Sequence, residues 1–401
     1  MRILYILPSA SLGSNSVKKK VVKQIQYLNT SDIKCDGVFF SNDVIEITRF
    51  NEFINYIPVK PSINKYFKKI GNSKNQIKSI YEFLVTNKLK YDVIYFRYPS
   101  ASIELFNLVK KFKNVVFEIN DNSIMTIRRE KTRFSIRRSL VLHLIQEYYW
   151  PLFNELFFGT KIFNNCIAIS CVSNELFKNI KKEYKINRTI PIIIANGIDV
   201  ASLPVRNYHF KNNKTLKMIM LKGASTNAVY LGNDRIIKSV ANYKGDWEIK
   251  LIFAGECFQD EIQLVKSLGA ENRVKFVGYL SDSDIDKYVN DCDIAIGTLA
   301  AFRSNIDEIS SLKAREYFSR GIPFIYGYTD TDINTSEEAK KYCFKVQNNN
   351  SIFDFNSIIN YCQIVLVQEN HPQKMHKLAL ELLDFEKKME QLANKLNLYY
   401  A

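Results

Sequence analysis

Long apolar runs, paired cysteines and clustered histidines are all missing from this 401-residue sequence, and each absence excludes something. No window reaches the roughly 18 uninterrupted apolar residues of a membrane span, so no helix is expected to cross a bilayer. The opening residues, MRILYILPSA, carry one Arg and run directly into a strand-like stretch, so no signal peptide is expected. Seven cysteines, an odd number without paired spacing, argue against a disulfide framework and for a reducing compartment. The four histidines are scattered, so neither a structural nor a catalytic zinc site is expected. No Ser/His/Asp or Cys/His arrangement suited to nucleophilic catalysis stands out, and there is no short internal repeat or low-complexity tract.

What is present fits a globular protein of two ordinary domains, with 46% apolar and 24% charged residues. The net charge of +15 is unevenly spread. Residues 1–200 hold 31 Lys and Arg against 16 Asp and Glu, whereas residues 201–401 hold 25 of each. The first half therefore suits something large and anionic, either a membrane surface or a polyanionic acceptor.

Along the chain, short apolar runs ending in Gly- or Ser-rich loops alternate with helical patterns. Strands are expected at 2–8, 93–96, 115–119, 166–172 and 192–195, with helices near 17–28, 76–86 and 103–112. The loop EINDN, Glu118 to Asn122, falls at the carboxyl end of a strand, the edge where open α/β sheets bind ligands. Asn and Asp also simply favour turns. Arg128 to Arg138 carries six positive residues and one acidic, and leads into an aromatic helix, 139–159, with Pro151 as an expected kink. Trp and Tyr beside a basic cluster suit a headgroup interface, and an ordinary core helix with a charged approach has the same pattern. Asn196 to Asp199 makes a turn, and the polar stretch 208–215 reads as a linker. The same grammar then restarts, with strands at 216–221, 249–254, 274–277 and 293–297, a helix near 234–241 and a long charged helix at about 373–396.

The centre of the second half is Asp307 to Ile325, DEISSLKAREYFSRGIPFI. Ser310 and Ser311 can cap a helix starting near Leu312, leaving backbone N–H groups pointed at the preceding loop, where an anion such as a phosphate is favoured. Lys313 and Arg315 place positive charge in that first turn, against the helix dipole, and so call for a nearby anion. Glu308 and Glu316, eight positions apart, set a carboxylate on either side.

Glu308 and Glu316, with Ser311-Leu312 between them and Gly321-Ile322-Pro323 after them, resemble the glutamate-pair signature of retaining nucleotide-sugar glycosyltransferases of the GT-B fold. The wider string from Ile296 to Ile325 is similar to the bacterial branch that builds capsule and other surface polysaccharides, and YDVIYFRYP (91–99) and NGID (196–199) look family-like as well. The resemblance implies two doubly wound, Rossmann-like α/β domains facing across a cleft. They would be an acceptor domain at 1–205, with a C-terminal helix of about 384–401 packing back onto it, and a donor domain at 206–383.

It further implies a diphosphate on the N–H groups of Ser311 and Leu312, neutralised by Lys313, Arg303 and Lys222, with Gly223 opening the loop after the first strand. Glu316 would bind ribose and Glu308 the transferred sugar. Gly255, Gly278 and Tyr279 would border the nucleobase, and Asn120 and Asp121 would orient the acceptor hydroxyl. The sequence departs from the family at Leu231, where a Lys commonly precedes the glycine. The expected activity is retaining, metal-independent transfer from a UDP- or GDP-sugar, without cofactor, to a lipid-linked oligosaccharide. The expected location is cytoplasmic, at the inner face of the plasma membrane. Two alternatives stand beside it: a catalytically silent binder of glycan or partner, and an enzyme acting on nucleic acid. The second is disfavoured because the aromatics follow the basic run instead of interleaving with it.

Overall fold

The computed structural model describes residues 1–401 except 11, 13–15, 31–32, 65, 88–89, 132–143, 212, 223–228 and 401. Two compact units are present, Met1–Ile194 with Met389–Ala401, and Ala195–Lys388.

In the first unit the strands are β1 (Arg2–Leu7), β2 (Lys34–Ser41), β3 (Thr48–Arg49), β4 (Ile54–Pro58), β5 (Val93–Arg97), β6 (Val115–Ile119), β7 (Ala168–Cys171) and β8 (Ile190–Ile193). They form one sheet in the order β3-β4-β2-β1-β5-β6-β7-β8, parallel except for the β3–β4 hairpin. β1 and β6 are buried along almost their whole length, as parallel strands covered by helices on both faces must be. β2, β3 and β4 add three strands beyond those the sequence pattern suggests. Met389, Leu392, Ala393 and Leu396 from the chain's end pack with Ile3, Tyr5 and Ile25 in one of this unit's cores.

In the second unit the strands are β9 (Thr215–Leu221), β10 (Glu248–Ala254), β11 (Val274–Gly278), β12 (Ile294–Ile296), β13 (Glu308–Ile309), β14 (Phe324–Tyr326), β15 (Thr329–Asp330) and β16 (Cys343–Lys345). The main sheet is parallel, ordered β11-β10-β9-β12-β14-β16, and β13 pairs with β15 beside it. Chain order reverses at β9/β12 here and at β1/β5 in the first unit. Doubly wound sheets open a crevice at such points, beyond the carboxyl ends of the strands.

Three expectations change. The polar stretch 208–215 is no free linker at its start. Tyr208 donates its hydroxyl to Asp293, and the preceding Arg206 is buried against the Cys292 carbonyl at 2.8 Å, so this segment is part of the second unit. The helix foreseen at 373–396 is two, His371–Leu382 and Phe385–Tyr400. It breaks because Ile198 pairs with the backbone there, donating to Leu383 O at 2.9 Å and accepting from Phe385 N at 3.0 Å, while the Asp384 carboxylate takes Val200 N at 3.1 Å. Pro151 is met by a π-turn in place of a simple kink. It lies at the junction where the π-turn Ile145–Tyr149 runs on into the α-helix Trp150–Phe163, with Leu144, Tyr149 and Trp150 all helical, and the wider turn ahead of it accommodates the missing N–H. Residues 139–143 of that expected helix, and 132–138 of the basic run, lie outside the described residues.

Candidate active site

The switch point of the second unit is built around one side chain the sequence reading passed over. Tyr317, on the helix Leu312–Arg320, is fully buried. Its hydroxyl accepts from Leu221 N, at the end of β9, at 2.9 Å and donates to Ile296 O, at the end of β12, at 3.1 Å. It bridges the two strands where they separate. The helix runs antiparallel to the strands, so the residues four to six places before Tyr317 overhang the carboxyl edge of the sheet by about 6–9 Å, at 1.5 Å per residue.

Ser311 caps that overhanging turn through the Ala314 amide at 3.4 Å, and the N–H groups of Leu312 and Lys313 belong to the first turn, which has no partners within the helix. Ser310 has a different job. Its hydroxyl takes Asn196 N at 2.7 Å and its carbonyl takes Asn196 Nδ2 at 2.8 Å.

Arg315 does not serve an anion at the helix end. It is completely buried, donating to Asp330 at 3.0 Å, Asp332 at 2.6 Å and the carbonyl of Asn196 at 2.7 Å. Spaced two residues apart, the two side chains leave the helix on different sides, and only Lys313 is left for the overhang. Burial, and then the like charge of Lys222, push the Lys313 ammonium down to about 8. Among the described residues it has no hydrogen bond or ion pair.

Lys222, just past β9, is buried and paired with Glu261 at 2.5 Å, between the rings of Phe253 and Phe258. Glu261 also takes Asn233 Nδ2. Gly255 sits against Lys222 with φ +119°, and a Cβ there would overlap the Lys222 carbonyl. Its N–H donates to Gly278 O at 2.6 Å, which joins β10 to the turn after β11. Gly278 has φ +71°, and Tyr279 after it is exposed, its hydroxyl 3.4 Å from Glu256. Lys222, Gly255, Gly278, Lys313 and Glu316 thus fall along one edge of the sheet. Gly223 lies outside the described residues.

Arg303 is engaged elsewhere. Its guanidinium grips Asp234 at 2.6 and 3.1 Å and reaches Asn350 at 2.8 Å. Burial alone would raise the Asp234 carboxyl, but the hydrogen bond from Arg303 outweighs it and holds the group below its ordinary range. Glu316 is partly exposed on the helix and accepts from Arg320 Nε at 3.1 Å. Glu308 lies in β13, in register with Thr329 of β15. Asn348 holds the loop before it, donating to Asp307 at 2.9 Å and accepting from Phe302 N at 3.0 Å. Leu231 is buried in the apolar core beside Leu299, so a cation at 231 would have to be desolvated there.

At the switch point of the first unit, Glu118 lies one residue before the end of the buried strand β6 and is itself buried. It accepts from Lys20 at 3.1 Å and from Tyr5, with Arg97, its neighbour in strand register, at 3.6 Å. Burial would raise its carboxyl, and Lys20 and Arg97 overcome that and bring it down to about 2. Asn120, with its amide oxygen turned to the cations, accepts from Arg97 at 2.7 and 3.1 Å and from Lys20 at 3.3 Å. Asp121 behaves as a turn residue, accepting from Asn122 N at 2.8 Å and from the Thr126 hydroxyl. Among the described residues no group of three or more His, Cys, Asp or Glu could hold a metal ion, and no helix is long and apolar enough to cross a membrane.

Known proteins resemble this arrangement over the whole chain. The sucrose-phosphate synthase of Thermosynechococcus elongatus superposes with a TM-score of 0.63 at 12% identity, covering 100% of this chain and 99% of its own. The Anabaena protein HepE in complex with UDP gives 0.61 at 14%, covering 99% and 100%. The lipopolysaccharide outer core galactosyltransferase WaaB gives 0.65 at 14%, covering 98% and 100%. The fold is GT-B. Residues 208–352, most of the second unit of this GT-B chain, match the family of glycosyl transferases group 1. No curated protein sequence matches the chain.

Within the GT-B frame, sequence reasoning missed Tyr317, Glu261, Asn348, Lys20 and Arg97. Arg97 had a usable signal, because β5 and β6 end side by side and put it opposite Glu118. Tyr317 and Glu261 had none, since both meet their partners through long-range packing.

Proposed function

We propose that the protein is a glycosyltransferase that moves a sugar from a nucleoside-diphosphate sugar to a glycan acceptor. The observation carrying this reading is Lys313. It is a cation without a hydrogen-bonding partner among the described residues, on the overhanging first turn of a capped helix, at the switch point of a unit whose sequence matches glycosyl transferases group 1.

In this reading the diphosphate meets the N–H groups at Ser311 and Leu312 together with the Lys313 ammonium, which stabilise the charge growing on the leaving phosphate. Glu316 takes the ribose hydroxyls and Glu308 the transferred sugar, while Gly255, Gly278 and Tyr279 border the base. Lys222 and Arg303, held by Glu261 and Asp234, shape the surrounding loops. Asn120, steadied by Arg97 and Lys20, orients the acceptor hydroxyl. Transfer proceeds with retention, the leaving phosphate taking the acceptor proton, and the helix terminus with Lys313 supplies the positive potential that a metal otherwise would.

HepE was solved with UDP and with UDP-glucose, which supports a UDP-sugar over a GDP-sugar as donor. The acceptor is a lipid-linked oligosaccharide of a surface polysaccharide, such as capsule or O-antigen, handled at the cytoplasmic face of an anionic membrane. The excess of basic residues in the first half supports that location. A thermal-shift panel of UDP, GDP, ADP and CMP on the wild type and on Glu316→Ala tests the reading. One nucleotide should stabilise the wild type by about 2.7 kcal/mol at 100 times its dissociation constant, and the variant much less. No response to any nucleotide would overturn it.

A further inference from the structure

A stripe of large apolar side chains stands in solvent on the first unit. Tyr149, Trp150, Phe153, Leu156 and Phe157 are each between 45% and 55% exposed, at spacings of three and four along the π-turn and the helix Trp150–Phe163. That spacing puts them on one face. The helix cannot roll to hide them, because its other face is fixed. The buried Glu155 accepts from Ala101 N at 2.9 Å, Tyr98 at 2.9 Å and Tyr184 at 2.8 Å, and Gly159 lies so close to the Tyr184 ring that a Cβ would overlap it.

A second segment, far away in sequence, extends the same surface. Ile63 is 98% and Tyr66 74% exposed, and the Tyr66 carbonyl accepts from Gln146 Nε2 at 2.7 Å, which ties this loop to the start of the stripe. The rim is basic. Lys60 and Lys68 are exposed, and Lys161 sits 4.7 Å over the Phe157 ring at the far end. The two acids of the stripe's own helical segment are accounted for, Glu147 by Lys69 and Glu155 by burial. Solvent-exposed rings with no acid among them, edged by lysines on a chain half carrying all the net positive charge, complement an anionic bilayer. Rings settle at headgroup depth and ammonium groups stay on lipid phosphates.

We propose that the helix 145–163 and the segment carrying Ile63, Tyr66 and Phe67 form a single seating face for an anionic phospholipid surface. The proposal deepens the membrane-associated acceptor of the reading above and rests on it for its purpose, while its test does not involve the nucleotide site. The chain has two tryptophans, so Trp247→Phe leaves Trp150 as sole reporter. With phosphatidylcholine vesicles containing phosphatidylglycerol, Trp150 emission should shift to the blue and the protein should float with the vesicles, both effects fading as salt is raised. Phe153→Ser/Phe157→Ser and, separately, Tyr66→Ser/Phe67→Ser should each weaken partitioning about tenfold or more, with melting midpoint and nucleotide response unchanged.

Four results would overturn the proposal. One is no emission shift and no flotation by a protein that still binds nucleotide. Another is undiminished partitioning of both double variants. The third is a concentration-dependent dimer that covers Trp150 in place of lipid, and the fourth is a Trp150 shift given by duplex DNA and not by vesicles. Loss of nucleotide binding with vesicle binding intact would overturn the sugar-transfer reading alone.

Discussion

Lys313 costs the empty protein stability. Its folded value, about 8, lies below the ordinary lysine range, so between pH 8 and that range the unfolded chain binds more protons, and stability rises with pH there. Below about 8 the penalty is present in full. Lys313→Met should therefore raise the melting temperature of the unliganded protein at pH 7 by a few degrees, from about 1 kcal/mol, while weakening nucleotide binding. In the wild type, nucleotide affinity should fall as pH rises through 8, and calorimetric titrations across pH 7–9 measure it.

His371 works in the opposite range. It is buried and pushed down to about 4, first by burial and then by Arg206, whose guanidinium lies 2.8 Å from its Nε2. A histidine depressed this way contributes stability above its ordinary value of about 6.5 that is lost as pH falls toward 4. Acid titration of unfolding should show about 2–3 kcal/mol lost over that window, and His371→Gln should flatten the curve.

At the scale of elements, the helix Leu312–Arg320 uses its two sides differently. Arg315 locks it to Asp330 and Asp332, and Lys388 reaches Asp332 at 2.6 Å, so a charge network joins the helix, β15 and the first turn of the last helix. Arg315→Met leaves the buried Asp330 carboxylate uncompensated, with Asp332 held by Lys388 alone, and should cost about 3–5 kcal/mol, read as a lower urea midpoint. Glu316→Ala, one residue on, should leave that midpoint within about 0.5 kcal/mol and remove the nucleotide response. The glutamate pair and Ser311-Leu312 were legible in sequence because a capped helix start has a local signature. That Arg315 turns inward was not legible, because its partners arrive from β15 and the loop after it.

For the whole molecule, each unit repeats the same winding, with chain order reversing at β1/β5 and at β9/β12. Ligand bound at the second switch point should protect that unit first. Hydrogen exchange with saturating nucleotide should slow at the amides around 221–222, 254–255 and 311–317 and leave 1–194 at the free rate. Slowing confined to the first unit would place the nucleotide at Glu118 and Arg97 instead.

The sequence by itself determined the alternation of strands and helices, the α/β class and the turn that starts the helix at Leu312. These depend on periodicity and capping within a few residues. Tertiary structure decided which charges remain for chemistry. Lys222, Arg303, Arg315 and Lys313 look alike as cations in a string of letters. Glu261, Asp234 and Asp330 with Asp332 engage the first three, each across at least fifteen residues of chain, and only Lys313 is left at the edge of the sheet. Because an ion pair depends on distance in space and the desolvation around it, that selection exists only once the chain has folded.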